Sequence, residues 1–157
     1  MRTLVISDTH GKSNVIRNIL LTHNDIKEVF FLGDLVKDID AVLDEFTDRN
    51  FHIVSGNCDG FSFYKNTDIC VIEGVKILFT HGHSYNVKSG LERLCETARQ
   101  RGCSLALFGH THTAVTVYDD GLTLVNPGSA SCSREGRNSY AIVDVLESGI
   151  VTSIMRL

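Results

Sequence analysis

The sequence contains little of what builds linkers, membrane spans or signal peptides. It has one proline and no tryptophan in 157 residues, which excludes a long Pro-rich linker. No apolar run approaches the roughly 18 residues that a transmembrane helix needs. The first apolar run ends at Ser7, too early for the apolar region of a signal peptide. We therefore expect neither a membrane span nor an export signal.

Cysteine is present but lacks the spacing of a structural framework. The five cysteines form no C-x-x-C pair and their number is odd, which argues against both a disulfide framework and a zinc ribbon. Cys70 and Cys95 fall at apolar positions of predicted elements, and we interpret them as small core residues. Unpaired cysteines are typical of a reducing compartment, so a cytoplasmic location is predicted.

A large excess of positive charge is also missing. The chain has 15 Lys and Arg against 19 Asp and Glu, a formal net charge of −4. This argues against a protein that binds duplex nucleic acid through bulk charge, because such binding needs a basic surface. Apolar residues make up 43% and charged residues 22% of the chain, as in an ordinary globular protein. The length predicts a single domain over residues 1–157 with its own apolar core.

The first third of the chain alternates short apolar runs with amphipathic segments. Apolar runs at 2–7, 28–32 and 51–54 predict buried strands. Apolar residues at helical spacing predict helices over 13–22 and 38–49. The resulting β-α-β-α-β order predicts a parallel sheet with helical crossovers.

The rest of the chain has the pattern of strands around one helix. A helix is predicted over 88–101, ended by Gly102, and a strand over 105–108. The remaining strands are predicted to form three antiparallel pairs, 68–72 with 75–80, 114–118 with 122–126, and 139–145 with 150–155. The predicted fold class is therefore α/β with mixed, partly antiparallel sheets.

Side chains that can bind a metal follow five of the predicted strands directly. They are Asp8 with His10, Asp34, Asn57, His81 with His83, and His110 with His112. A glycine stands beside each of these groups and allows the backbone to turn sharply. In α/β sheets, ligands bind outside the carboxyl ends of the strands. The pattern therefore predicts one site at that edge.

The chemical types of these side chains indicate which ions they suit. Carboxylate, amide and imidazole groups together suit Mn²⁺, Fe²⁺ or Zn²⁺ better than Ca²⁺. These donors exceed the need of one ion if water and substrate also bind, and they fit two ions that share a bridging carboxylate. Two ions about 3.5–4 Å apart can hold a bridging hydroxide and orient a phosphate. The pattern therefore points to hydrolytic phosphoryl transfer.

The order of these motifs is similar to that of a known family. D-x-H, G-D, G-N-x-D, H-G-H and G-H-T-H follow one another from Asp8 to His112, and residues 126–129 are N-P-G-S. The chain resembles the calcineurin-like metallophosphoesterase superfamily, and its small YfcE-like phosphodiesterase branch in length as well as in motifs. The resemblance implies a four-layer αββα sandwich, in which two mixed β-sheets are flanked by helices.

The resemblance also implies a role for each site residue. One metal would be held by Asp8, His10, Asp34 and His112. The second would be held by Asp34, Asn57, His81 and His110, with Asp34 bridging the two. Manganese is the ion most often associated with such sites, and nickel, iron or zinc can occupy them. The implied enzyme hydrolyses small phosphodiesters with a hydroxide that bridges both metals, so Asp34 and Asn57 also count as predicted catalytic residues.

One position departs from the pattern of the larger relatives. Cys58 stands where they carry a histidine that is thought to protonate the leaving group, although the small branch shares the cysteine. A thiol with an ordinary pKa of about 8.5 is a poorer acid at neutral pH. The general acid therefore stays open among Cys58, His83 and water, and Cys58 as a space-filling residue is a further alternative. His83 is otherwise interpreted either as a hydrogen-bond donor to the phosphate or as a residue that supports a neighbouring ligand. Asp59 is interpreted as a residue that orients a neighbouring ligand.

Other functions are known on the same scaffold. A retromer subunit with this fold binds protein partners and has lost part of the ligand set, whereas every ligand position is filled here. Phosphomonoesterases and protein phosphatases of the superfamily are generally longer, with more elaborate loops over the metals. Phe61, Phe63 and Tyr64 follow the asparagine motif and are predicted either to line the site or to form an interface, so a homo-oligomer stays open.

Overall fold

The structure, a computed structural model, describes residues 1–146 and 148–157. Its strands are β1 (Arg2–Ile6), β2 (Glu28–Phe31), β3 (Asn50–Ile53), β4 (Thr67–Ile72), β5 (Val75–Thr80), β6 (Leu105–Leu107), β7 (Ala114–Asp119), β8 (Leu122–Pro127), β9 (Ser139–Leu146) and β10 (Gly149–Arg156). Its helices are α1 (Ser13–Thr22), α2 (Lys37–Asp40) and α3 (Glu92–Gln100), and 3₁₀ turns span Leu43–Glu45 and His83–Tyr85.

The strands form two five-stranded sheets. The first has the order β10-β9-β1-β2-β3 and the second the order β4-β5-β6-β8-β7. In the first sheet β1, β2 and β3 are parallel, and in the second β5, β6 and β8 are parallel. The remaining neighbours pair in an antiparallel manner. Both sheets are therefore mixed, as predicted.

Burial on both faces of each sheet produces four layers. Along β1, Leu4 and Ile6 pack with α1, while Val5 packs with side chains of the second sheet. This is the period-two alternation of a strand. In the middle layer, the rings of Phe30 from the first sheet and Phe79 from the second meet edge to face with centroids 5.2 Å apart. Helix α3 covers the outer face of the second sheet, which confirms the αββα sandwich.

Helix α1 is held through one apolar face and one buried arginine. Ile16, Ile19 and Leu20 are buried at helical spacing. The buried guanidinium of Arg49 donates hydrogen bonds to the carbonyls of Leu20 and His23 near the C-terminal end of the helix. Carbonyls in the last turn have no partner within a helix, so Arg49 satisfies groups that would otherwise lack one.

The helix predicted over 38–49 is wrong in its extent. The segment contains only the four-residue α2 and a 3₁₀ turn. Its apolar residues Ile39, Val42 and Phe46 are buried, as the pattern required. Four aspartates between positions 38 and 48 lower the helix propensity, since a short polar side chain competes for backbone hydrogen bonds. Burial of the apolar face therefore occurs without a continuous helix.

The other predicted helices agree more closely with the structure. Helix α3 begins at Glu92 rather than at position 88, because Ser89 and Gly90 are poor helix formers. Gly102 follows it with φ +69°, as expected for a residue that ends a helix. Cys95 is buried on α3, whereas Cys70 on β4 is only half-buried. Among the described residues, no helix combines the length and the apolarity needed to cross a bilayer.

Candidate metal centre

Five strand ends meet at one edge of the sandwich. β1, β2 and β3 of the first sheet and β5 and β6 of the second are each followed by a loop with a predicted site residue. Candidate ligand atoms from these loops form two groups, and within each group all atoms lie within 4.8 Å of one another. The groups are Asp8, His10, Asp34 and His112, and Asp34, His81 and His110. Asp34 belongs to both, so the two groups are adjacent.

The first group is partly open to solvent. Nε2 of His10 lies 3.1 Å from Nε2 of His112 and 3.8 Å from Oδ2 of Asp34. Oδ1 of Asp8 lies 3.1 Å from Nε2 of His112. The Asp8 side chain is fully buried, whereas the His10 and His112 side chains are 25% and 17% exposed. A ligand from solvent can therefore approach this group from the histidine side.

The second group contains a more deeply buried histidine. Nε2 of the fully buried His81 lies 3.1 Å from Nδ1 of His110 and 3.4 Å from Oδ1 of Asp34. Oδ1 of Asn57 lies 3.2 Å from the same Nε2 atom. The structure thus brings all seven residues that were predicted as ligands into one site.

Hydrogen bonds on the far side of two imidazoles decide which ring nitrogen faces the site. Nδ1 of His81 lies 2.7 Å from the carbonyl oxygen of Leu32, and Nδ1 of His112 lies 2.8 Å from that of Cys132. A carbonyl can only accept, so both Nδ1 atoms donate. In the neutral imidazole Nε2 then carries a lone pair directed at the group, as in the second shell of many metal sites.

The donor set fits divalent cations. Oδ1 of Asp8 is buried without a hydrogen-bond donor among the described residues, although Nε2 of His112 lies close to it. Nε2 of His81 similarly faces Oδ1 of Asn57. Acceptor atoms this close repel one another unless a proton or a cation lies between them. Carboxylate, amide and imidazole ligands suit ions such as Mn²⁺ and Zn²⁺.

The two groups also differ in their electrostatics. Burial acts to raise the pKa of Asp8, but the nearby His112 and His81 outweigh it and hold the pKa below its usual value. The Asp8 carboxylate raises the pKa of His112 against the effect of burial. Burial, followed by the neighbouring His81, lowers the pKa of His110 to about 4. At neutral pH His110 is therefore the uncharged imidazole that binds metals.

The backbone is strained at most of the candidate ligands. Five of them have positive φ, namely Asp8 (56°), His10 (43°), Asp34 (59°), His110 (69°) and His112 (59°). A non-glycine residue in this left-handed region costs roughly 1–3 kcal/mol and persists only where the surrounding structure enforces it. The sequence suggested that the neighbouring glycines make the turns, but the ligands themselves take part in them.

Two glycines allow the backbone to approach the carboxylates. A Cβ atom on Gly56 would lie 2.2 Å from Oδ1 of Asp34. A Cβ atom on Gly109 would lie 2.1 Å from Oγ of Ser7 and 2.9 Å from Oδ2 of Asp8. Both positions are too close for any side chain, so the shape of the site requires glycine there.

Asp38 is a site-supporting residue that the sequence did not reveal. Its Oδ2 atom accepts hydrogen bonds of 2.7 Å from Oγ1 of Thr9 and from the amide of Gly11. These two residues flank His10, so the buried carboxylate holds the loop that presents this histidine. The sequence pattern placed Asp38 at the start of a helix, and nothing in the pattern connected it with the loop after β1.

Asp59 connects two loops of the site. Its Oδ1 atom accepts hydrogen bonds from the amides of Leu35 at 2.9 Å and Val36 at 2.7 Å, directly after Asp34. Its Oδ2 atom accepts a bond from the amide of Gly56, directly before Asn57. Asp59 therefore orients the segments that carry two candidate ligands, in agreement with its interpretation as an orienting residue.

The loop between β8 and β9 closes against the first group. Oγ of Ser129 donates a hydrogen bond of 2.7 Å to the carbonyl of Asp8 and accepts one of 2.7 Å from the amide of Cys132. The carbonyl of Cys132 in turn orients His112. The amide of Arg134 donates to the carbonyl of His112 at 3.2 Å. This loop, which begins with the glycine and serine of the N-P-G-S segment, thus supports two ligands distant from it in sequence.

Two candidates for contact with substrate lie beside the second group. The ring of His83 is 5.4 Å from that of His81 and 6.2 Å from that of His110. Its Nδ1 atom is buried without a hydrogen-bond partner among the described residues. The amide of Cys58 donates to Oδ1 of Asp34 at 3.0 Å. Partial burial and then Asp34 raise the pKa of Cys58, so its exposed thiol keeps its proton at neutral pH.

The fold and the site together define a class of protein. An αββα sandwich that gathers carboxylates, an asparagine and histidines at one edge has the architecture of a metallophosphoesterase. A family model, the calcineurin-like phosphoesterase superfamily domain, matches residues 1–148. The chain therefore belongs to the calcineurin-like phosphoesterase superfamily, as its motifs predicted.

Individual relatives agree with this membership. The probable metallophosphoesterase YsnB of Bacillus subtilis is 31% identical over 155 residues, which cover 97% of this chain and 88% of the relative. A phosphodiesterase of Methanocaldococcus jannaschii is 29% identical over 167 residues, with coverage of 92% and 93%. The family implies divalent metal ions, and the relatives support a hydrolase that acts on phosphate esters.

A solved structure of a similar chain shares the fold throughout. A conserved protein of Streptococcus pneumoniae, described as a predicted phosphoesterase, superposes with a TM-score of 0.88 at 25% identity. The superposition covers 99% of this chain and 88% of that one. The predicted family and the predicted two-sheet α/β fold are therefore both confirmed.

Proposed function

We propose that the protein is a phosphodiesterase that hydrolyses small phosphodiesters with two divalent metal ions. The observation that carries this proposal is the position of Asp34 in two adjacent ligand groups. A shared carboxylate is suited to hold two ions about 3.5–4 Å apart, the spacing of two-metal phosphoesterase sites. The similarity to a phosphodiesterase of M. jannaschii supports the choice of substrate class.

The ligands divide between the two ions. One ion is assigned to Asp8, His10, Asp34 and His112, and the other to Asp34, Asn57, His81 and His110. When bound, such ions would activate a water molecule as the nucleophile and neutralise charge on the phosphate. Oxygen and nitrogen donors without a thiolate suit manganese, which is the proposed native ion, with nickel, iron and zinc as alternatives.

The side chains around the ions hold and orient the reactants. The amide of Cys58 donates to Asp34 and keeps the shared carboxylate in place. His83 is assigned a hydrogen bond to a phosphate oxygen, because its ring lies beside the rings of His81 and His110, at 5.4 and 6.2 Å. Burial and then His81 lower the pKa of His83, so the ring is uncharged and can donate at neutral pH. Delivery of a proton to the leaving group is left to Cys58 or water.

Size and charge favour a small substrate. The net charge of −4 disfavours duplex nucleic acid. The partly exposed His10 and His112, together with the exposed Cys58, border an open site that a short phosphodiester can enter. All five cysteines are free, which is typical of the reducing cytoplasm and supports that compartment as the proposed location.

The test compares two substrates with the same leaving group. Metal-free protein is reloaded with Mn²⁺, Ni²⁺, Mg²⁺ or Zn²⁺ and assayed on bis(p-nitrophenyl) phosphate and on p-nitrophenyl phosphate. Metal-dependent hydrolysis of the diester, faster than that of the monoester, is the expected result. A clear preference for the monoester would instead identify a phosphomonoesterase. Failure to bind any of these divalent ions would support the alternative function, a non-catalytic scaffold that binds protein partners.

A further inference from the structure

Two phenylalanines are exposed to solvent on the loop after β3. Phe61 is 92% exposed and Phe63 is 97% exposed. Their rings form an edge-to-face pair, with centroids 5.7 Å apart and planes at 78°. Single exposed apolar side chains are common, but adjacent ones mark a binding surface more often. We call residues 57–65 the aromatic loop.

The aromatic loop is anchored at both of its ends. The amide of Ser55 donates a hydrogen bond of 2.9 Å to the carbonyl of Lys65, which closes the base of the loop. The hydroxyl of Tyr64 donates a bond of 2.6 Å to Oδ1 of Asp40 at the end of α2. Phe61 and Phe63 therefore project from a loop whose base is held by defined contacts.

The aromatic loop also begins within the candidate metal centre. Its first residue is Asn57, and Asp59 accepts a hydrogen bond from the amide of Leu35, which directly follows Asp34. Two residues of chain span at most roughly 7 Å, so the backbone of Phe61 lies within about that distance of Asp59. Four residues of chain separate Phe61 from the candidate ligand Asn57, so the backbone of Phe61 lies within about 14 Å of that ligand.

The size of the aromatic pair favours a small ligand over a second copy of the chain. Two phenylalanine side chains offer about 300–500 Å² in total. A stable interface buries about 800 Å² on each partner. The flanking residues Gly60, Ser62 and Lys65 are small or polar. Tyr64 is half-buried and its hydroxyl donates a hydrogen bond to Asp40, so the exposed apolar surface of the loop consists mainly of the two phenylalanine rings.

We propose that Phe61 and Phe63 form a subsite for a planar aromatic group attached to the scissile phosphodiester, such as a nucleobase or an aryl ester. This inference rests on the proposed function and specifies its substrate class. An edge-to-face pair leaves ring faces open to a third ring. Stacking on those faces needs no specific hydrogen bonds, so it selects for aromatic character rather than for one base. Diesters with two alkyl groups lack this contact.

The experiment uses two phosphonates with the same anionic head group. Phenylphosphonate and methylphosphonate are tested as competitive inhibitors of diester hydrolysis by the metal-loaded protein, because their C–P bonds resist hydrolysis. We expect phenylphosphonate to bind about 10-fold more tightly than methylphosphonate, or tighter still, because stacking of bases on aromatic side chains strengthens single-strand binding by about that factor or more. Direct titration of both phosphonates by calorimetry measures the same difference without turnover.

Three double variants separate stacking from general apolar contact. Phe61→Ala with Phe63→Ala should abolish the preference for phenylphosphonate. Phe61→Leu with Phe63→Leu keeps an apolar surface without rings and should abolish most of this preference. Phe61→Tyr with Phe63→Tyr keeps the ring faces and should retain it. Tyr118→Ala is the control, because Tyr118 is a 74% exposed aromatic residue on β7 outside the aromatic loop. The control protein should prefer phenylphosphonate as strongly as the wild type does.

The outcomes distinguish this inference from the function on which it rests. Equal affinity of the wild type for both phosphonates would overturn the subsite while diester hydrolysis stands. A preference for phenylphosphonate that survives in the double alanine variant would also overturn the subsite. A wild-type dimer that the Ala substitutions convert to a monomer in light scattering would assign the pair to an interface and overturn the subsite as well. Absence of both hydrolysis and phosphonate binding would contradict the proposed function, and the subsite with it.

Discussion

The two halves of the candidate metal centre share Asp34 but are supported in different ways. In the second group, the fully buried His81 is oriented by the carbonyl of Leu32, a core residue that directly follows β2. In the first group, the partly exposed His112 is oriented by the carbonyl of Cys132, which belongs to the exposed loop after β8. The orientation of His81 thus depends on the packed sheets, and that of His112 depends on a loop.

This difference predicts unequal binding of the two proposed ions. Core packing holds side chains in one rotamer, so ligands that are oriented by strand ends need little reorganisation to bind. Loops open locally at a lower free energy than core strands. We therefore expect the group of His81 and His110 to bind its ion more tightly than the group of His10 and His112. Substitutions in the site should remove this difference in affinity or enlarge it.

The largest effect is expected from Asp34→Asn, because Asp34 is the one residue in both groups. Loss of a residue that only supports a ligand costs about 10- to 100-fold in metal affinity or activity, so loss of the shared ligand should cost more than about 100-fold. The affinity for both ions should fall together, which would remove the difference in affinity between the two groups. Metal content after dialysis and the rate of diester hydrolysis measure these effects.

A matched control for this variant is Asp44→Asn on the exposed 3₁₀ turn, which should keep wild-type activity. Thermal unfolding of both variants checks that the fold is intact. Retained metal-dependent hydrolysis of a model phosphodiester by the Asp34→Asn protein would contradict the assignment of two ions that share this carboxylate.

A second, smaller effect is expected from Asp38→Ala and should fall on one ion alone. The substitution removes the acceptor for Thr9 and Gly11, the residues on either side of His10. The first group should then bind its ion about 10- to 100-fold more weakly, the range for residues that support a ligand. The ligands of the second group have no hydrogen bond to Asp38, so their affinity for the ion should not change. The difference in affinity between the two groups would then increase.

Titration with Mn²⁺, followed by calorimetry and electron paramagnetic resonance, resolves the two ions in the Asp38→Ala protein. Asp44→Ala serves as the control, because Asp44 is an exposed aspartate in the neighbouring turn. An equal loss of affinity for both ions would show that Asp38 supports the fold in general rather than the loop of His10.

The sequence predicts much of the second group for a physical reason. A buried parallel strand is a short apolar run, and the residue that follows it must lie at the carboxyl edge of the sheet. His81 follows such a run directly and His110 follows one after Gly109, so their convergence with Asp34 could be predicted without coordinates. The family resemblance then divided the ligands between two ions.

The support of the first group was not predictable in the same way. Asp38 lies in a segment with helical spacing of apolar residues, and its contact with the loop of His10 depends on tertiary packing. The left-handed backbone at Asp8 and His112 likewise has no signal in the residue types, because neither residue is glycine. The helix predicted over 38–49 failed in its extent for another reason, since its four aspartates compete locally for backbone hydrogen bonds and disfavour a continuous helix.

A pH titration provides a third comparison of the two groups. A metal binds neutral imidazole, so a ligand with a raised pKa retains its proton, and excludes the metal, to a higher pH. The pKa of His112 is raised by Asp8, whereas burial and His81 lower that of His110 to about 4. As pH falls from 7, the first group should lose affinity before the second, by about tenfold per pH unit for each proton that must be released.

The measurement is the affinity for Mn²⁺ at pH values between 5 and 8, resolved for the two ions. His112→Gln is the companion variant, because glutamine does not titrate, and its remaining first-group affinity should vary less with pH. If both ions dissociate over the same pH range in the wild type, the different support of the two groups has no consequence for proton competition.

The smallest effect is expected from Ser129→Ala, which tests whether the loop after β8 matters to one group only. The hydroxyl of the buried Ser129 donates to the carbonyl of Asp8 and accepts from the amide of Cys132, whose carbonyl orients His112. A hydrogen bond contributes about 1 kcal/mol, so the affinity of the first group should fall about fivefold and that of the second should not change. Ser104→Ala, at an exposed position before β6, is the control and should alter neither ion. A fivefold loss at the second group instead would place the support of His81 in the loop rather than in the sheets, and would reverse the comparison.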